Sequence, residues 1–371
     1  MLASDTFDTA PSAVPPAPPE GSAAMQAAAT LARTPDDKAM LRAAVELTRD
    51  LAPARGAIFW PDMLISAFVG YASLAGAILA QNGWAMAAFA LVSALMLYRA
   101  LLFIHELSHI HKDALPGFRL GWNLLVGIPL LTPSFMYEGV HPLHHARTRY
   151  GTAEDPEYLP LALMKPWSLP VFLLTALLLP VALLIRSAVL VPLGALVPPL
   201  RELVWARASA LAINPAFRRR PPEGAFARMV LWQEAGASGW AWFVLGWSAT
   251  HSWRPLVIAL GVIALGAVLN QTRTLVAHLW ENEGETMTVT GQYLDSVNVP
   301  PPGWVTVLWA PVGLRYHALH HLLPSLPYHA LGEAHRRLCA ELGGGSTYAR
   351  SNYPGLFPLL GRLVRSTMGA R

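Results

Sequence analysis

Apolar runs almost free of charge recur along the chain, at residues 63–80, 84–98, 167–185, 235–250 and 255–269. Several approach the roughly 20 residues with which an α-helix crosses a hydrocarbon core, where the backbone must satisfy its own hydrogen bonds. The pattern predicts an all-α, polytopic membrane helical bundle. Residues 81–83, Gln-Asn-Gly, are a turn short enough to force an antiparallel hairpin between the first two spans. The second span, over 84–104, then continues into the polar string His105-Glu106-Leu107-Ser108-His109. Residues 121–137 are apolar but carry Pro129 and Pro133, which predicts an interfacial or re-entrant segment. Residues 167–185 and 187–200 read as a tight hairpin with Arg186 at its tip, and 235–250 pairs with 255–269 through a turn at 251–254. Residues 36–51 place Met40, Leu41, Ala44, Val45 and Leu47 on a rough helical stripe, expected to lie on the membrane surface.

The expected organisation is a disordered segment over 1–30, an interfacial helix over 31–57, a membrane catalytic domain over 58–340 and a basic tail over 341–371. No basic-then-apolar leader pattern is present among the first residues, which are rich in Ala and Pro. Composition agrees with a lipid solvent. The chain is 54% hydrophobic and 13% charged, against about 25% charged in soluble domains. Its single cysteine, Cys339, excludes an intrachain disulfide and any thiolate-held cluster.

The net charge of +4 comes with no nucleic-acid motif. The arginines gather beside the apolar runs instead, at Arg201, Arg207, Arg218, Arg219, Arg220 and Arg228, and again from Arg336 to the C-terminal end. Positive residues mark cytoplasmic loops, so both segments are expected in the cytoplasm, and the connectivity above puts the histidines on that same side.

Of the thirteen histidines, eight fall in three windows of five residues: His105 and His109; His141, His144 and His145; His317, His320 and His321. Residues at i, i+3 and i+4 share a helix face, so each window is expected to project its imidazoles in one direction as a metal-binding arm. Eight ligands exceed what one four-coordinate zinc uses. Two metals are implied, and two irons suit an oxygen-activating centre at a lipid interface. His278, at the end of its span, is a ninth candidate. Glu106, Asp155 and Asn282 are candidates for orienting the ligands, Asp155 by accepting the second N–H of a histidine. Glu138, Glu157, Glu281 and Glu283 are further acidic residues near the arms, and Trp122, Phe135, Tyr137, Trp304 and Trp309 are candidate walls of an acyl tunnel. His111, His251, His329 and His335 read as interfacial or structural.

Two other readings of the same residues stand beside this one. His105 to His109 satisfies the two-histidine, one-glutamate pattern of a zinc protease, with Asp295 as a further ligand, but leaves both HxxHH windows without a role. A metal transporter would place its histidines near the bilayer midplane, whereas here they cluster at the ends of the spans.

The three windows together resemble the histidine boxes of the membrane-bound fatty acid desaturases. Residues 314–329 resemble the third box and its flank in bacterial members, residues 273–278 resemble the segment that brings a further histidine, and the likeness covers roughly 60–340. The resemblance implies a non-haem di-iron centre held by His105, His109, His141, His144, His145, His278, His317, His320 and His321. It further implies an acyl-chain lipid substrate, O2 and two electrons from an external ferredoxin or cytochrome, with insertion of a double bond. Where some members place an additional asparagine ligand this chain has Thr274, so water or Asn282 would take that place. Membrane hydroxylases and monooxygenases of lipids, alkanes and carotenoids share the boxes, and hydroxylation is the alternative outcome.

Overall fold

In the computed structural model, residues 30–303 and 305–369 are described. The expected disorder of the first residues and the placement of Trp304 lie outside them. Among the described residues the fold is helical, with isolated bridges at His278–Ser296, Asn298–Tyr316 and Asn298–Asn352 in place of a sheet.

Helix α1, Lys38–Thr48, starts at Asp37, whose carboxylate accepts from the Ala39 and Met40 amides at 3.1 and 3.0 Å, as an N-cap does. Its apolar stripe does not face lipid. Met40 and Ala44 are buried against Tyr293, Leu319 and Leu338, because the C-terminal third of the chain folds back and covers that face first.

Among the described residues, four helices are long and apolar enough to cross a membrane: α2 (Gly56–Leu79), α3 (Gly83–His109), α4 (Ser168–Leu196) and α6 (Arg254–Leu275). The turn between α2 and α3 is set by Asn82, whose side chain accepts from Trp84 N at 2.7 Å. The two helices approach closely through small residues. A Cβ on Gly70 would stand 2.6 Å from Leu97 Cδ2, and Ser93 Oγ donates to the Gly70 carbonyl at 2.8 Å.

Helix α4 departs from expectation. It does not turn back at Arg186 but runs on through a π-helical segment at Arg186–Leu190. Arg186 is buried and paired with Glu234 at 2.6 Å, and Arg201 reaches the same carboxylate from a following helix, so the guanidinium is held inside the protein rather than at a tip. Helix α5, Gly224–Thr250, is longer than the run over 235–250 and is not among the four, because Gln233, Glu234 and its many Gly, Ser and Trp residues make it less apolar than the others. It still pairs with α6 as a hairpin. Arg254, starting α6, donates to the Ile78 carbonyl at 3.1 Å, so the turns of both hairpins sit at one end of the bundle. Exposed Phe68, Trp84, Leu178, Trp242 and Val257 ring its flanks.

The opposite end carries the histidines. Box one lies on the last turns of α3 itself, box two on the short helix His141–His144, and box three on α7, His317–Leu322. A core running from Phe59 and Phe103 through Phe118 and Val297 to Tyr328 ties these pieces to the first hairpin. Helices α8, Leu331–Leu342, and α9, Leu356–Gly369, close this end.

Candidate metal centre

The nine predicted histidines come together, in two groups. His105, His109, His141, His145 and His320 form one, and His144, His278, His317 and His321 form the other, with the ligand atoms of each group within 4.8 Å of one another. The boxes do not each serve one direction. In box two, His141 and His145 turn to the five-histidine group and His144 to the other; in box three, His317 and His321 turn one way and His320 the other. The reason lies in the helix. At 3.6 residues per turn, i and i+4 stand about 40° apart, but i+3 and i+4 stand about 100° apart. A packed HxxHH window therefore straddles two sites and fixes the distance between them.

Within the groups, Nε2 atoms face one another: His141 and His145 at 3.0 Å, His145 and His320 at 3.2 Å, His144 and His278 at 3.2 Å, His278 and His317 at 3.0 Å, and His317 and His321 at 3.2 Å. At a metal–imidazole distance of about 2.1 Å, two ligands at right angles lie about 3.0 Å apart. The spacing is that of ligands around one cation per group.

The outward nitrogens show the same design. His144 Nδ1 faces both oxygens of Asp155 at 2.9 and 3.0 Å. His141 Nδ1 faces Glu157 at 2.8 Å, and Glu157 also accepts from the Tyr137 hydroxyl at 2.7 Å. His278 Nδ1 faces the Tyr150 hydroxyl at 2.9 Å and Ser296 Oγ at 3.2 Å. Both oxygens spend their protons elsewhere, Tyr150 on Asp295 and Ser296 on the Gln292 carbonyl. His278 must therefore carry its proton on Nδ1, leaving Nε2 as a lone pair. His144, donating to Asp155, presents a second lone pair to it across 3.2 Å. A positive charge is needed between them, and one cation serves all four imidazoles where a single proton serves two. In the five-histidine group the buried Nε2 atoms of His105 and His109 have no hydrogen-bond partner at all. These orphans and lone pairs fit bound metal ions.

Burial first, and the neighbouring imidazoles next, hold His141, His145, His320 and His321 well below the ordinary histidine range, which keeps them in the neutral form that binds metal. Burial pushes His144 down as well, but the Asp155 carboxylate more than offsets it and the net direction is up. Burial raises Glu157 to about 7 and Asp295 to about 6.

Glu106 faces His105 Nδ1 at 3.6 Å and accepts from Tyr328 N at 2.9 Å, so it joins box one to the loop after box three. Asn282 does not reach a histidine through its amide nitrogen, which donates to the carbonyls of Gly151 and Glu285 and braces the loop behind Asp155. Asp295 belongs to neither group, and His105 and His109 converge with His141, His145 and His320 instead, so the protease constellation does not assemble. Tyr150 and Ser296 are the partners that pattern reasoning did not name, and Glu157 was named only as an acidic residue near the arms. Of the candidate tunnel walls, Tyr137 stacks on His141 at 4.6 Å, whereas Trp122 and Phe135 are packed in the core. His111 is exposed beside Asp113, and His329 and His335 contact Arg55 and Tyr348, away from both groups.

Among the described residues, four helices long and apolar enough to cross a membrane, capped at one end by two groups of histidines that could each hold a metal ion, define a multi-pass membrane protein. The fatty acid desaturase family model matches residues 82–352, and the chain belongs to that family. It is 49% identical over 341 residues, 90% of this chain and 96% of the relative, to a ceramide hydroxylase of Caulobacter vibrioides (strain NA1000 / CB15N). No solved structure matches the chain.

Proposed function

We propose that this protein is a di-iron membrane hydroxylase of ceramide. The observation that carries the reading is the likeness to a ceramide hydroxylase along nine-tenths of the chain. It favours hydroxylation over the double-bond insertion that the histidine boxes first suggested. Both outcomes begin from the same need, since a C–H bond on a saturated carbon gives an acid or base nothing to act on. Two irons bound by the nine histidines would supply the oxygen chemistry that breaks such a bond.

In the balanced reaction one C–H becomes C–OH. One atom of O2 enters the lipid, and the other leaves as water after taking up two electrons and two protons. The protein's own part is to orient the imidazoles through Asp155, Glu157 and Tyr150, and to keep water from the reacting carbon. The electrons come from a separate donor protein of ferredoxin or cytochrome type, because one cysteine cannot hold a cluster. The arginine-rich segment between α4 and α5 supports a cytoplasmic centre, since Arg219 reaches the Glu138 carbonyl next to box two.

Lipid extracts of cells expressing the wild type or His317→Ala test the reading. Hydroxylated ceramide that appears with the wild type and vanishes with the variant is the expected result. Ceramide that has lost two hydrogens and gained no oxygen would instead establish the desaturase outcome, and an unmodified ceramide pool would remove the proposed substrate.

A further inference from the structure

Arg273 stands in the last turn of α6, five residues before His278, and only 8% of it is exposed. One of its terminal nitrogens donates to Asn270 Oδ1 at 3.2 Å. The Tyr98 hydroxyl lies beside it, with its own proton given to the Trp309 carbonyl at 2.8 Å. Arg273 Nε is buried and has no partner, and among the described residues the guanidinium forms no ion pair, unlike Arg99, Arg119, Arg186 and Arg201. The carboxylates nearest the centre are already engaged, Asp155 by His144 and Glu157 by His141 and Tyr137.

A guanidinium carries five N–H donors in a fixed fork, and a donor buried without an acceptor, as Arg273 Nε is, destabilises the site unless a ligand supplies one. Arg273 stands five residues before His278, a member of the four-histidine group. Asn270 Oδ1 and the Tyr98 hydroxyl serve part of the fork, and an acceptor for Nε is what the position lacks. A saturated methylene in mid-chain would bring none. The head of a ceramide brings an amide carbonyl and hydroxyls, and the planar guanidinium fork is shaped to receive them.

We propose that Arg273 is a specificity-determining residue: it receives the acceptor oxygens of the lipid's polar head and so presents a carbon near that head, not one in mid-chain, to the metal centre. The inference rests on the ceramide reading. It makes regiochemistry a matter of distance from Arg273, with the oxidised carbon a few bonds from the amide.

The test uses the full-length protein in nanodiscs, with iron content as the check on folding. Wild type, Arg273→Met and Arg273→Lys are given ceramide, or a saturated hydrocarbon of matching chain length, with a reduced donor and O2. Binding of each lipid and the position of the new hydroxyl are read. Arg273→Met is expected to weaken ceramide binding about tenfold or more, to leave hydrocarbon binding unchanged and to scatter the hydroxyl along the chain, with Arg273→Lys in between. Unchanged binding and an unchanged hydroxyl position in Arg273→Met would overturn the inference. Should that variant lose iron, the wild type alone decides by comparison of ceramide with an analogue lacking the head hydroxyls and amide carbonyl: equal binding of the two overturns the inference. If ceramide is untouched but another lipid with an amide or ester near the reacting carbon is oxidised in an Arg273-dependent way, the substrate assignment fails and the role of Arg273 stands.

Discussion

The two histidine groups are built to different standards. In the four-histidine group every imidazole is buried, and His144 and His278 are fixed from behind by Asp155, Tyr150 and Ser296. In the five-histidine group His109 and His145 are only partly buried, whereas orphaned outward nitrogens occur in both groups, on His105 and His145 in this one and on His317 and His321 in the other. Its one strong outer contact is His141 with Glu157. The first group is held by loops locked to one another through the bridge from His278 to Ser296 and the segment around Asn298. The second takes two of its members from the end of a membrane span, so its geometry follows how α3 packs. A site with more ligands is here the less constrained one, because rigidity comes from what stands behind each ring.

The largest expected effect comes from emptying a group. His144→Ala should remove the metal of the four-histidine group and lower hydroxylation at least about a hundredfold, read by metal analysis and turnover. His141→Ala should do the same to the other group. Chelation sharpens the contrast: metal should leave in two phases, the five-histidine group first, and a single phase would mean that the two groups are equally held.

Next come the outer carboxylates. Asp155→Asn should weaken metal binding about 10–100-fold, because His144 loses the charge that fixes its tautomer. Glu157→Gln should cost less, about tenfold, since the stack of Tyr137 on His141 also holds that ring. Equal losses in the two variants would erase the distinction between the groups.

The smallest effect belongs to the middle of the α2–α3 hairpin. Gly70→Val should destabilise the α2–α3 hairpin by about 1–3 kcal/mol through overpacking against Leu97. Because α3 delivers His105 and His109, thermal unfolding and metal retention in the five-histidine group should fall together while the four-histidine group keeps its metal.

Much of this arrangement was legible in the residues. The spacing in the three windows marked eight of the nine histidines and the end of a span marked His278, the short turn at 81–83 placed box one at the end of a span, and Asp155 was singled out as a partner for a ligand ring. The division of the boxes between two groups was not legible, because it depends on which side of each short helix the rest of the chain packs. Tyr150 and Ser296 meet His278 across 128 and 18 residues of chain, and no local pattern encodes such contacts. Arg186 looked like a polar tip only because its partner Glu234 lies 48 residues away. The amphipathic stripe of α1 says that it needs an apolar cover and not whether lipid or protein provides it.

The most direct test of two metal sites is a count of metal per chain on protein purified in detergent, for the wild type, His144→Ala and His141→Ala. The account predicts two irons in the wild type and one in each variant, held in different groups. One zinc per chain in the wild type, or loss of all metal from either variant, would contradict it.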